Sequence, residues 1–153
     1  PHLSTDETTM GSVIFDVVDK FKIDSDRDII TLYPTYPQRT WEQVEEVYRF
    51  YKKENARSLL CSKDVKTHPY MCFERTENFA GKKVIDHDLY RRQEYPECFE
   101  ACHYIVITKA NVLGELDNNL HCDSTVFYAL HDEVFDVDYM KDFDSFRKDA
   151  ARG

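Results

Sequence analysis

Apolar residues recur at Val13, Ile14, Val17, Val18 and Phe21. That spacing lines one side of a helix and predicts one over 12–21. A polar stretch, Asp24 to Asp28, leads into Ile29-Ile30-Thr31-Leu32, a short apolar run that reads as a buried strand. It stops at Pro34-Thr35-Tyr36-Pro37, because proline cannot continue a ladder. Thr40 then stands as a helix N-cap, with Gln43 completing a capping box. Trp41, Val44, Val47, Tyr48 and Tyr51 trace one face of that helix, and Lys52 and Lys53 suit its C-terminal dipole.

Ser58-Leu59-Leu60-Cys61 reads as the next strand. A strand–helix–strand order predicts a parallel pair with a helical crossover. From His68 to Pro96 the pattern loosens into a β-rich excursion: a strand over 70–74, a turn over 78–82, and a return at Val84-Ile85. Further along, 103–108 predicts a strand, 109–113 a short helix and 125–130 another strand. The segment 142–151 predicts a terminal helix capped by Asp142 or Asp144. The expected class is α/β with a mostly parallel sheet.

Composition narrows the function. The 153 residues suit one domain, and 42% hydrophobic content with 10 Tyr and 10 Phe can build a core. A net charge of −9 repels phosphodiester backbones and anionic lipid, so neither nucleic acid nor membrane is the expected partner. No apolar run is long enough to span a bilayer. Five cysteines, an odd number, suit reduced thiols in the cytoplasm better than a disulfide framework.

Four constellations could carry chemistry. On extended backbone, Asp136 and Asp138 point to the same face and offer two hard oxygen ligands of the kind that suit Mg²⁺; an acidic surface loop has the same pattern. The turn Tyr33 to Thr40 follows a strand and opens a helix, where Arg39 could meet a carboxylate or phosphate, or else pair with Glu42 or Glu46. Arg91-Arg92-Gln93 could neutralise an anionic ligand or form salt bridges at an interface, and spacing alone favours the interface. Cys98, Cys102, His103, His121 and Cys122 lack the paired knuckles of a zinc site, so buried thiols are the better reading.

Taken in order, these segments resemble the acylneuraminate cytidylyltransferases, or CMP-sialic acid synthetases. Pro1-His2-Leu3-Ser4-Thr5-Asp6 looks like that family's R-P-x-x-L-x-x-D segment entered one residue late, and ITLYPTYPQRT (30–40) like its LLQPTSPLRT strand and turn. His68-Pro69 matches a His-Pro pair, and Arg92-Gln93-Glu94-Tyr95-Pro96 is similar to R-Q-x-L-P. Phe135-Asp136-Val137-Asp138, followed by Asp142-Phe143, resembles I-D-I-D-x-x-x-D-F.

The resemblance implies a Rossmann-like fold of the nucleotide-diphospho-sugar transferase type over 1–153, with 66–97 as a dimerisation excursion. It implies transfer of CMP from CTP to a sialic-acid-like 2-keto-3-deoxy sugar acid, with pyrophosphate leaving. Asp136 and Asp138 would hold Mg²⁺ and serve catalysis, while Tyr33, Thr35, Arg39, Arg92 and Gln93 would meet the substrates. The family's first strand and Gly-rich, Lys-containing loop have no counterpart here, so the domain is expected to be N-terminally incomplete. Tyr33 stands for the family's Gln and Met71 for its Lys. Glu100, Cys102 and Val106 replace Arg, Asn and Tyr, so a sugar carboxylate would be poorly received at Glu100. A catalytically inactive, dimeric relative is the alternative expectation.

Overall fold

A computed structural model describes residues 5, 7–132 and 134–150. Apart from Thr5, the stretch Pro1–Asp6 lies outside them, as does Ala151 of the expected terminal helix. The elements are α1 (Met10–Lys20), β1 (Asp28–Thr31), α2 (Trp41–Lys53), β2 (Ser58–Asp64), β3 (Phe73–Arg75), β4 (Gly81–Lys83), β5 (Phe99–Lys109), β6 (Val126–Ala129) and α3 (Met140–Ala150). Short 3₁₀ turns cover Pro69–Met71, Arg92–Glu94 and Ala110–Glu115. Among the described residues no helix is long and apolar enough to cross a membrane.

The expected mostly parallel Rossmann-like sheet is wrong. The main sheet is mixed, in the order β1-β5-β2-β6, and within it only β2 and β6 pair in parallel. Helix α2 does connect two strands of the same direction, but they are not hydrogen-bonded to each other. Strand β5 lies between them, antiparallel to both. Its run Tyr104-Ile105-Val106-Ile107 is fully buried, as are Leu59, Leu60 and Cys61 on β2. A strand buried on both faces belongs at the centre of a sheet, and periodicity along β1 and β2 carries no information about what intervenes.

Side chains leave this sheet alternately. Leu59, Cys61, Ile105 and Ile107 meet Val44, Val47 and Tyr51 of α2, while Leu60 and Val106 meet Ile14 of α1 with Leu113 and Leu120. The two helices therefore cover opposite faces. Helix α2 starts as its sequence dictates: the Thr40 hydroxyl accepts from Gln43 N–H, and the Gln43 side chain accepts from Thr40 N–H. At the start of α3, Asp142 acts from inside the first turn, its Oδ2 accepting from Tyr139 N–H at 2.9 Å.

One polar hub ties β1 to α2. Asp28 accepts hydrogen bonds from Tyr48 and Tyr51 at 3.0 Å and from Lys52 at 3.1 Å. Burial pushes its carboxyl up, but the Lys52, Tyr51 and Tyr48 donors outweigh burial and hold it below the usual aspartate range. A depressed folded value means that the stabilisation is complete above about pH 4 and is lost as pH falls through the folded pKa. Asp28→Asn is expected to flatten the acid limb of a stability-versus-pH curve from urea melts. An unchanged acid limb would show that the hub contributes nothing.

The excursion is present, though built differently from its expected strands. Its only regular pairing is the short β3–β4 hairpin, and Tyr70 sits in a 3₁₀ turn behind proline. A local aromatic knot holds its base: Tyr70 stacks on His87 at 4.3 Å, and His68 and Tyr95 pack around it. His68 accepts from Tyr70 N–H through Nδ1 and bonds the Pro96 carbonyl through Nε2, which closes the loop. Beyond the knot, Phe73, Phe79, Val84 and Tyr90 are exposed.

Candidate functional site

Strands β1, β2 and β6 share one direction, so their carboxyl ends emerge on one edge of the sheet. Two motif-bearing segments leave from that edge: the turn 33–40 after β1, and the acidic segment 134–138 after β6. Ligands of α/β sheets favour such edges, because chain reversals there expose backbone and side chains around a hollow. Yet β1 and β6 lie at opposite sides of the sheet. To meet the turn, the segment after β6 passes β2 and β5 on the α2 side of the sheet, a span of roughly 14 Å at normal strand spacing. The Leu130 amide donates to the Ser62 carbonyl as it sets out, and Leu130 and Val134 pack on the α2-side core.

The segments are laced together where they meet. Val137 N–H donates to the Thr35 carbonyl at 2.9 Å, and the Gln38 side-chain amide faces both backbone groups of Phe135. The Tyr36 hydroxyl donates to Asp136 Oδ2 at 2.8 Å, joining residues 100 positions apart. Burial, and then the adjacent Asp136 carboxylate, hold the Tyr36 phenol well above the usual tyrosine range. Asp136 Oδ1 is shut away from solvent and has no hydrogen-bond partner among the described residues. A buried acceptor left without a partner costs roughly 1–3 kcal/mol.

That orphaned oxygen is the observation against which the Mg²⁺ implied by the resemblance is weighed: it is an unpartnered carboxylate acceptor, but one closed to solvent. Magnesium usually takes one or two carboxylates and completes its shell with water and phosphate oxygens. Asp136 would supply that oxygen, and Asp138, two residues on, is exposed. No cluster of three or more His, Cys, Asp or Glu forms a closed metal cage among the described residues.

The other expected site residues fare differently. Tyr33 is half-buried, its ring against His103 at 5.1 Å, and burial raises its phenol. Thr35 joins the site through its carbonyl. Arg39 is turned inward: Nη1 donates to the Tyr104 carbonyl at 2.7 Å and Nη2 to the Tyr33 carbonyl at 3.0 Å. Arg92 and Gln93 lie exposed on the excursion, and among the described residues no hydrogen bond or ion pair links them to Asp136 or the turn. Glu100, the charge-reversed position, is paired with Lys63 at 3.3 Å.

The cysteine–histidine set is dispersed. All five cysteines are unpaired thiols. Cys61 and Cys102 are buried, which pushes Cys61 up to about 12, and His103 bonds the Asn119 carbonyl. Ser124 and Thr125 hydroxyls beside Cys122 lower its thiol. Sequence reasoning missed Tyr36: a tyrosine between prolines looks like a turn residue, and only the crossing of 134–138 gives its hydroxyl a partner. No model of a known protein family matches this chain, and no curated protein matches it either.

Proposed function

We propose that this chain is a Mg²⁺-dependent cytidylyltransferase of the acylneuraminate type, transferring CMP from CTP to a sialic-acid-like 2-keto-3-deoxy sugar acid with release of pyrophosphate. The observation that carries the reading is the half-satisfied Asp136 carboxylate, held by Tyr36 at the carboxyl edge of the sheet. Both segments that resemble the family's signature turn and acidic ending meet at that point. Mg²⁺ bound there would polarise the α-phosphate and neutralise the departing pyrophosphate. Asp136 and Asp138 hold the charge, Thr35 and Val137 fix the backbone between them, and Arg39 keeps the turn in place.

Pyrophosphate release from CTP, Mg²⁺ and such a sugar tests the reading, and its absence with every combination overturns it. The inactive-relative reading is favoured by one observation: no glycine among the described residues takes a positive φ, so no phosphate-cradling glycine loop is formed by them. It requires calorimetry to give no Mg²⁺-dependent CTP binding. A cytoplasmic setting belongs to the main reading, supported by the unpaired thiols.

A homodimer joined through the excursion belongs to both readings. It is supported by Phe79 and Tyr90, which are 85% and 93% exposed on that arm. Large apolar side chains gathered on one projection mark an interaction surface. The expected outcome is a dimer by sedimentation that Phe79→Glu with Tyr90→Glu converts to a folded monomer. A monomeric parent chain would remove the dimer from the proposal.

A further inference from the structure

Strands β2 and β6 are the parallel pair of the main sheet, and a hollow of about 290 Å³ lies at their carboxyl ends. Lys63 and Lys66 line it from the end of β2, and His131 and Asp132 from the segment after β6, with Leu130 and Val134 as its apolar part. The Leu130 amide donates to the Ser62 carbonyl at 2.8 Å, which carries the parallel ladder one residue further and fixes that wall beside Lys63. Asp64 completes the lining, so cations and anions balance there although the whole chain carries −9. A narrower hollow of about 70 Å³ shares the 130–134 wall and adds Gln43 of α2. The Gln43 side-chain oxygen already accepts from Thr40 N–H at 2.9 Å and from the Tyr104 hydroxyl at 2.6 Å. What Gln43 has left for a ligand is its N–H₂ group.

We propose that this cleft seats a small hydroxylated carboxylic acid of the sugar-acid type, its carboxylate on Lys63 and Lys66 and its hydroxyl groups on Asp132 and His131. The choice of ligand rests on the transferase reading above, whereas the cleft rests on its own geometry. Ligands of α/β sheets favour the crevice beyond the carboxyl ends of the strands. A lysine ammonium has three donors. Lys63 gives one to Glu100 at 3.3 Å and keeps the others, and Lys66 makes no ion pair among the described residues. Lys63 is only 25% exposed, so its charge is screened less than that of a free surface lysine. Glu100 is met by Lys63 and is not part of the lining, so it does not turn an acid away from the cleft. A carboxylate only accepts hydrogen bonds and belongs on the lysines, while sugar hydroxyls also donate and satisfy Asp132 and Asp64. Inorganic phosphate brings more charge and less hydrogen to give, so the same two aspartates repel it.

Calorimetric titrations of the full chain with N-acetylneuraminate and 3-deoxy-D-manno-octulosonate, each as the acid and as its methyl ester, test the proposal. The parent should bind at least one acid, and bind its ester about tenfold or more weakly. Lys66→Met should weaken the acid by about tenfold and leave the ester unchanged, so that the two converge. Lys63→Met should do the same. Should it fail to fold once Glu100 loses its partner, Lys66→Met decides alone, because Lys66 is exposed. Three results overturn the proposal: neither acid bound at millimolar concentration, acid and ester bound equally by the parent, or acid binding unaltered in Lys66→Met. Inorganic phosphate that displaces the acid at comparable concentration marks a bare anion site and overturns it as well. The expected binding pattern without pyrophosphate release from CTP and Mg²⁺ keeps the cleft and overturns the transferase reading. Release with parent kcat and KM for the sugar acid in Lys66→Met keeps the transferase reading and overturns the cleft.

Discussion

Asp136→Ala is expected to lower CTP-dependent pyrophosphate release by about 10²–10³-fold, the usual cost of removing one group that stabilises developing charge in a closed site. The size follows from the environment. Asp136 Oδ1 is sealed from solvent, so a charge opposite it is screened far less than at the surface. Folding should change little or improve, because the truncation removes a carboxylate oxygen that the described residues leave unpartnered. It also strips the Tyr36 hydroxyl of its acceptor, a compensating loss of roughly 1–3 kcal/mol. The decisive pattern is a collapse of turnover with the thermal midpoint nearly unmoved. Asp138→Ala should cost less, because Asp138 is exposed. Parent-level release in Asp136→Ala would remove this aspartate from the chemistry.

Arg39→Ala is expected to act in the opposite way, on stability before activity. Its guanidinium donates to the carbonyls of Tyr33 and Tyr104 and lies 5.7 Å from the Tyr104 ring centre. Tyr104 belongs to the stretch 103–105, which has no partner in either ladder of β5. The register against β2 steps from Leu60↔Val106 to Cys61↔Cys102, and pairing with β1 ends at Val106. That irregularity leaves a buried carbonyl in need of a donor, and Arg39 is the donor. Truncation orphans two backbone acceptors at roughly 1–3 kcal/mol each, or about 2–6 kcal/mol in all. For a domain of this size about 3 kcal/mol lowers the midpoint by roughly 6–12 °C. Lysine should not rescue it, since a single ammonium does not reproduce a fork that reaches two carbonyls at once. Were Arg39 chiefly an anion ligand, the midpoint would hold and only CTP or sugar binding would weaken. Calorimetric melts beside binding titrations separate the two.

The two substitutions concern residues that lie 97 positions apart in the sequence and that the sequence treats alike, as a cation and an anion available to a ligand. The structure gives them different work. Arg39 braces the turn from beneath, and Asp136 arrives from the far side of the sheet to meet the turn's tyrosine. Arg92 and Gln93, read with them as substrate contacts, sit on the arm with the exposed aromatic side chains, where a second copy of the chain would have to bring them to a site.

Much of the local structure was legible in the amino acids. Period-3.6 apolar spacing marked α1 and α2. The reciprocal Thr40–Gln43 pair marked the start of α2 to the residue, and the apolar runs 29–32, 58–61 and 103–108 marked three strands. These features depend on neighbours within a turn or two, so the chain states them directly. Strand order did not follow, because β1-α2-β2 has the same sequence pattern whether its strands touch or admit β5 between them. The long, fully buried β5 decided the matter by competing for the centre and turning a parallel expectation into a mixed sheet. The opening feature of the candidate site divides along the same line. The sequence by itself determined that Asp136 and Asp138 share an extended segment, and that a proline-stiffened turn follows β1. Only the tertiary structure decided that this segment passes β2 and β5 on the α2 side, so that Tyr36 takes one oxygen of Asp136 and leaves the other bare. The reason is physical: a hydrogen bond between residues 100 positions apart leaves no periodic trace in either segment, and exists only once the sheet has set the distance between them.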